Sequence, residues 1–271
     1  MTAFDADAYL KRIALSAPPA PTIEGLRALQ QAQVLAIPFE NFDILLDRGI
    51  SLDPEKVFDK LVRRRRGGYC FEINGLLLAA LRAFGFEARA LLGRVHLMGQ
   101  TTGRSHQISL VTIDGEDWIA DGGFGAGTAL APLKLVLDEP QPVPGSLRRY
   151  VSDPVYGTML QIETPEGWSN LYSFDLEHVV DADRAMGNWF TSTHPQSFFT
   201  WARVAARQTP DGRVTLMDYT MKVLENGEET ITRLEEGEPY LAALRDHFGI
   251  ELDAPYEAIK PIVGEGADFS V

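Results

Sequence analysis

The spacing of hydrophobic positions changes period along the chain. Through the first third they recur at helical intervals. Asp5 or Asp7 can cap a short helix that carries Tyr9, Leu10 and Ile13 on one side. The proline cluster at Ala17–Pro21 stops it, and Thr22 opens a second helix with Ile23, Leu26 and Leu29 in phase. Asp53-Pro54 is a third start: an acceptor side chain precedes a residue whose φ is already helical. That helix turns Val57, Phe58, Leu61 and Val62 inward and runs into Arg63–Arg66 and Gly67-Gly68. The next segment, Tyr69–Phe84, has no continuous polar face, which predicts a helix buried on most sides and stopped by Gly85.

Beyond Gly85 the pattern is that of strands. Phe86–Leu97, His106–Ile113, Asp117–Ala120, Thr158–Thr164 and Val214–Leu224 alternate or are β-branched. Turn signals stand at Asp114-Gly115, Pro165-Glu166-Gly167, Asp211-Gly212 and Asn226-Gly227. This is antiparallel sheet, fitting a small barrel. Proline-rich Asp138–Pro144 reads as a surface excursion, and Pro239–Phe248 as a last helix with Tyr240, Leu241, Leu244 and Phe248 on one stripe. Helices first, then sheet, then a mixed end make an α+β protein.

Charge narrows the partners. Among 271 residues, 25 Lys and Arg face 38 Asp and Glu, a net −13. Such a surface repels phosphate backbones and anionic lipid at long range, so no nucleic acid and no membrane is expected as partner. An anionic small ligand needs a local basic or N–H-lined pocket. No apolar run reaches the ~18 residues of a membrane span, and the first residues lack the apolar segment of a secretory signal. One cysteine excludes an intrachain disulfide and any multi-cysteine zinc site, and fits a reducing, cytoplasmic setting; no metal is expected. The Arg63–Arg66 run reads as a solvated helix end, with an anion-facing role as its alternative.

The cysteine is well placed for chemistry. Cys70 follows two glycines at the start of the most apolar helix, where unpaired N–H groups and the helix dipole favour a thiolate. The alternative is an inert buried side chain. A thiolate nucleophile needs a base. His96 sits near a loop, His178 and His194 lie in irregular polar stretches, and His247 ends the last helix, whereas His106 opens a clean strand. A two-residue turn at Asp114-Gly115 pairs Ile113 with Glu116 and, counting outward, Ile108 with Asp121. His106 and Asp121 then become diagonal neighbours on one face, with Cβ atoms roughly 7–8 Å apart or less. A three-residue turn puts them on opposite faces. Asp121 can thus orient an imidazole that activates a thiol. Whether Cys70 meets the pair is a tertiary matter that spacing does not reach. The four glycines of Asp121–Thr128 lack the Lys-Ser/Thr ending of a Walker loop. Alone they read as a flexible turn; beside a catalytic carboxylate they let a substrate approach bare N–H groups.

These residues also form a recognisable set. RRGGYCFEINGLL (Arg65–Leu77), IPFEN (Ile37–Asn41), the Ser105-His106 strand start and DGGFG (Asp121–Gly125) resemble the arylamine N-acetyltransferase family of bacterial type, over nearly the whole chain. The resemblance implies a helical bundle over 1–85, a central antiparallel β-barrel over 86–190 and a C-terminal α/β lid over 191–271, around a cysteine-protease-like core. It implies Cys70 as acyl-accepting nucleophile, His106 as base and Asp121 as its orienter. The implied reaction is ping-pong: acetyl-CoA acylates the cysteine, and an arylamine, arylhydrazine or N-hydroxyarylamine nitrogen takes the acetyl group, as in xenobiotic metabolism. Acetyl-CoA is then a substrate, and no permanently bound cofactor is implied. Phe39, Phe124 and Phe199 are the implied aromatic walls. Gly122, Gly123, Phe124, Gly125 and Gly127 are the implied neighbours of pantetheine and pyrophosphate, between barrel and lid. No further basic cluster is visible for the nucleotide phosphates. An amide synthase of the same family, a thiol hydrolase using the same three residues, and a non-catalytic binding protein are the competing readings.

Overall fold

The computed structural model describes residues 4–262 apart from Met98 and Gln100. The helices begin where the capping residues lie. α1 (Ala6–Ile13) is capped by Asp5, whose Oδ1 accepts from Ala8 N at 3.1 Å. α2 (Ile23–Ala36) is capped by Thr22, whose hydroxyl accepts from Gly25 N at 3.3 Å. A two-residue strand, β1 (Phe39–Glu40), and a short α3 (Phe42–Leu45) follow. α4 (Pro54–Phe58) starts on Asp53, which accepts from Glu55 N and Lys56 N. It then widens into a π turn, Asp59–Arg63, in which Lys60 is buried. α5 (Cys70–Ala83) runs through the bundle core with Phe71, Leu77, Ala80 and Leu81 wholly buried, as its unbroken apolar surface predicts.

The central sheet is antiparallel, in the order β5-β4-β3-β2-β9-β8-β7-β6. Its strands are β2 (Glu87–Val95), β3 (Arg104–Ile113), β4 (Glu116–Ala120), β5 (Leu133–Lys134), β6 (Gln141–Val143), β7 (Ser146–Asp153), β8 (Gly157–Thr164) and β9 (Gly167–Phe174). Its two edges meet through Gln141, whose side chain accepts from Lys134 N at 2.9 Å and donates to Lys134 O at 2.8 Å. The sheet is therefore a nearly closed barrel, filled by Leu91, Ile108, Ile119, Tyr150, Leu160 and Tyr172. The excursion expected at Asp138–Pro144 contains the edge strand β6; Pro142 is tolerated there because an edge position needs no ladder donor. The Asp114-Gly115 turn has φ of +52° and +80°, the two-residue form that glycine and aspartate favour. It sets the expected register, Ile113 with Glu116 and Ser109 with Ala120.

α6 (Asp181–Thr193) packs against barrel and bundle at Gly187, where a Cβ would lie 2.8 Å from Arg104 O and 2.9 Å from Phe71 Cζ. The lid sheet is β10 (Val204–Thr209), β11 (Gly212–Met217), β12 (Thr220–Glu225) and β13 (Glu228–Arg233), and it is joined to the bundle because β10 pairs with β1. The single stretch expected at Val214–Leu224 is two strands, folded back at Asp218, whose φ is +54°. α7 (Glu238–Ala243) and a π turn, Leu244–Phe248, cover one face of this sheet with Tyr240, Leu244 and Phe248.

Candidate active site

Cys70 is the first residue of α5 and is 4% exposed. Glu72 holds the helix start: its Oε2 accepts from Tyr69 N at 3.1 Å, and its Oε1 lies 2.8 Å from Lys60 Nζ. Lys60 also meets Asp43 at 2.8 Å, while Arg66 bonds Glu40 Oε1 at 2.6 Å and Asp43 Oδ1 at 3.2 Å. Burial alone would lower the Lys60 ammonium, but Glu72, Glu40 and Asp43 outweigh it and raise it. Burial pushes the Glu72 carboxyl up against the opposing pull of Lys60. The solvated helix end expected for Arg63–Arg66 therefore holds only for the first three; Arg66 is 3% exposed. The glycines after it explain the difference. A Cβ on Gly67 would lie 2.4 Å from Pro38 O and 2.7 Å from Glu40 Cγ, so the chain passes close enough to bury the neighbouring guanidinium against Glu40.

His106 approaches the sulfur through a β-bulge. Gly93 pairs with His106 but Arg94 pairs with Arg104, leaving Ser105 as an extra residue on β3. Freed from the ladder, the Ser105 carbonyl accepts from Cys70 Sγ at 3.5 Å. The His106 ring lies close enough to Cys70 for the sulfur to favour its charged form, and its Nε2 lies 2.8 Å from Asp121 Oδ2. Phe124 and Tyr172 pack on the ring at 4.8 Å and 5.0 Å between centroids. Burial favours the neutral imidazole, yet Asp121 and Cys70 prevail and push the ring up to about 10. Burial likewise works against the Asp121 carboxylate, but the His106 charge and the hydrogen bonds it accepts from His106, Gly123 N and Asn74 hold it below the usual range. The three residues singled out in the sequence thus converge.

The side chain that sequence reasoning missed is Asn74, four residues after Cys70 on the same helical face. It is fully buried. Its Nδ2 donates to Asp121 Oδ1 at 2.9 Å and to Gln107 O at 2.6 Å, and its Oδ1 accepts from Gly122 N at 2.7 Å. Gln30 adds a second clamp by accepting from Asp121 N at 3.2 Å. The signal available was an amide one helical turn after the cysteine, on the mostly apolar middle of the helix. These bonds also correct the expectation of a flexible turn after Asp121: Gly122 and Gly123 are packed on α5, and their N–H groups are engaged with Asn74 and Asp121. Phe39 and Phe199 face each other at 5.9 Å, Tyr69 meets Phe199 at 5.8 Å, and the Gly125 backbone borders the Phe39 ring. On the far side of Ser105 a cleft of about 550 Å³ opens toward α6, walled by Leu92, Val179, Met186 and Phe190. Among the described residues no group of three or more His, Cys, Asp or Glu is placed to hold a metal ion.

Residues 22–256 match the family model described as N-acetyltransferase. The chain belongs to this N-acetyltransferase family. It is similar to a Salmonella typhimurium protein named arylamine N-acetyltransferase / N-hydroxyarylamine O-acetyltransferase, 42% identical over 81% of this chain and 78% of that one. Among solved structures, the arylamine N-acetyltransferase of Salmonella typhimurium superposes with a TM-score of 0.88 at 38% identity, covering 94% of this chain and 93% of that one. That of Mycobacterium marinum in complex with CoA superposes at 0.86 and 36% identity, covering 91% and 93%. The family suggested by the cysteine motif is the family matched, and the N-acetyltransferase architecture of bundle, barrel and lid is the one observed. Among the described residues no helix of this N-acetyltransferase is long and apolar enough to cross a membrane.

Proposed function

We propose that this N-acetyltransferase moves an acetyl group from acetyl-CoA to the nitrogen of arylamines, arylhydrazines or N-hydroxyarylamines, through a thioester on Cys70. The observation that carries the reading is the convergence of Cys70, His106 and Asp121: Asp121 holds the His106 ring at 2.8 Å, and Cys70 and Asp121 both favour its charged form. A ring raised to about 10 is an imidazolium at neutral pH, the partner a thiolate needs. The Cys70 sulfur attacks the thioester carbonyl of acetyl-CoA, and the carbonyl electrons move onto oxygen. The Cys70 N–H, in the first turn of α5 and without a protein acceptor among the described residues, is suited to hold that oxyanion. Collapse expels the CoA thiolate, which takes the proton from His106. The now neutral ring removes a proton from the acceptor amine as its nitrogen attacks the acetyl carbonyl, and the Cys70 thiolate leaves. Phe39, Phe124 and Phe199 supply apolar walls for an aromatic acceptor beside this bond. Such a site suits cytoplasmic xenobiotic acetylation.

Incubation with acetyl-CoA alone is expected to add one acetyl group, located on Cys70 by intact mass and peptide mapping. An arylamine should then accelerate CoA release. Absence of any adduct contradicts the proposal, and CoA release equally fast without amine indicates a hydrolase.

A further inference from the structure

The lid sheet ends in an open edge. At one end β1 lies against the bundle, with Phe39 bridged to Gly68. At the other, β13 has a neighbour on one side only, and its ladder with β12 runs unbroken from Glu225–Glu228 to Thr220–Arg233. All six residues of β13 are exposed, Ile231 by 59%. The hairpin fixes which backbone groups point outward. Asn226 and Gly227 have φ of +51° and +86°, a two-residue turn closed by Glu225 and Glu228. Glu228, Thr230 and Thr232 therefore turn their N–H and C=O groups toward β12. Leu234, in step with them, donates its N–H to Tyr219 O at 2.8 Å. The N–H and C=O groups of Glu229, Ile231 and Arg233 face away from the sheet, and among the described residues they have no backbone partner.

Among the described residues this edge has no proline, no bulge and no covering segment, the usual devices that blunt one. Its charges instead match one another about a dyad. When a second β13 lies antiparallel with Ile231 opposite Ile231, Glu229 falls opposite Arg233 at both ends and Thr230 opposite Thr232. Shifting that register by two residues either way sets Ile231 against a charge, and shifting it by one sets outward-facing backbone groups against inward-facing ones. Glu229, Ile231 and Arg233 share the open face of the sheet with Lys222, whereas Met221 and Val223 lie on the face that packs against the lid core. Arg233 has no acidic partner among the described residues; its guanidinium lies 5.4 Å from the centre of the Tyr219 ring. Glu229 meets Lys222 only at 3.7 Å, with both side chains about half exposed. Both charges are therefore available to a second chain.

We infer that β13 is a self-association surface, on which a second copy of this chain adds its own β13 antiparallel and extends the five-stranded lid sheet across a dyad. The contact is isologous, so each pairing occurs twice and the assembly closes as a dimer. Three outward-facing residues on each copy exchange backbone hydrogen bonds, and two Glu229–Arg233 pairs flank one Ile231–Ile231 contact on the open face. Edges of six residues cover less surface than the ~1,200 Å² of a stable complex, so the dimer is weak, with a dissociation constant in the micromolar range or above. The net −13 of each chain opposes association at long range. At about 0.15 M salt that repulsion is screened beyond ~8 Å, while the charges paired at the dyad lie closer than this.

Sedimentation velocity of the full chain at about 0.15 M salt, from roughly 5 to 500 µM protein, tests this. The unaltered protein should pass from monomer toward dimer over that range. A monomer throughout overturns the proposal, as it would if residues 263–271 of the same chain or a different protein covered the edge. Glu229→Arg and Arg233→Glu each set like charges opposite one another at two places, so each should raise the dissociation constant about tenfold or more. An equimolar mixture of the two variants should dimerise about as well as the unaltered protein, because every charge then meets its opposite in the other variant. The double variant Glu229→Arg, Arg233→Glu should recover in the same way. Ile231→Pro removes an outward N–H that β12 does not use, and it should weaken the dimer without repelling charges. All these side chains are exposed, so the urea midpoints should stay near that of the unaltered protein. A dimer that persists in the single variants, or that the mixture fails to restore, lies on another surface and overturns the assignment.

Discussion

Asn74 holds Asp121 and the Gly122 backbone with the two ends of one amide, so truncating it releases both at once. The remaining hydrogen bonds to Asp121, from Gly123 N and His106, follow a carboxylate that is free to rotate. Asn74 touches no reacting atom; it positions the residue that positions the base. Asn74→Ala is therefore expected to lower kcat by about a hundredfold, the scale of a misplacement near 1 Å, with KM for acetyl-CoA little changed. Lost affinity should accompany lost rate if the amide matters only to packing. Parallel kinetics of Asn74→Ala and Asn74→Asp separate the cases, because a second carboxylate beside Asp121 should also distort the acid limb of the pH–rate profile.

At the scale of an element, the start of α5 depends on charges drawn from three other segments. Lys60 from the π turn joins Glu72 on α5 and Asp43 on α3, and Arg66 joins Glu40 on β1 to the same Asp43. Removing one member of a buried pair leaves the other unanswered, so Lys60→Met should destabilise by about 3–5 kcal/mol. In the double variant Lys60→Met, Glu72→Gln the loss should be smaller than the sum of the single losses, by about 1–3 kcal/mol. Additive urea-melt values would show that the contact carries no coupling. This network also marks the limit of what the chain discloses. The start of α4, the burial of α5 and the β3–β4 register were legible because each depends on neighbours in sequence: a cap, a period, a two-residue turn. The partner of Arg66 was not, since Glu40 lies 26 positions away and meets it only because Gly67 lets two backbones touch. Strands β7, β9, β10 and β13 escaped for a different reason. β13 is exposed throughout, and β7 and β9 mix polar and aromatic residues without a clean alternation. α6 escaped because its outer face carries Met186, Trp189 and Phe190, which blur the stripe that marks a helix. The bulge at Ser105 has no signature at all, yet it brings a free carbonyl to the sulfur.

Across the whole molecule, the bundle supplies the sulfur and the barrel supplies the ring and the acid, so the ionisation of the site is tied to the integrity of the fold. The ordinary imidazole value is 6.5, and His106 is raised to about 10 in the folded protein. The folded state therefore binds more protons than the unfolded state between those values. Its stabilising contribution is complete below 6.5 and is lost as pH rises through about 10, at a slope of no more than about 1.4 kcal/mol per pH unit. Asp121 acts in the opposite direction. Its lowered value means that its contribution is present above the ordinary carboxylate range and is lost as acid carries the pH down through the folded value. In Cys70→Ala, where no thiol proton can offset the one the ring holds, urea melts between pH 6.5 and 9, below the range in which tyrosines ionise, should show stability falling with pH. In Cys70→Ala, Asp121→Asn both attractions that oppose burial are gone, and the slope should disappear although the remaining surface charge is nearly the same. Equal slopes in the two proteins would mean that the ring does not carry the proton its surroundings assign to it, and the imidazolium that the acyl-transfer steps begin from would lose its support.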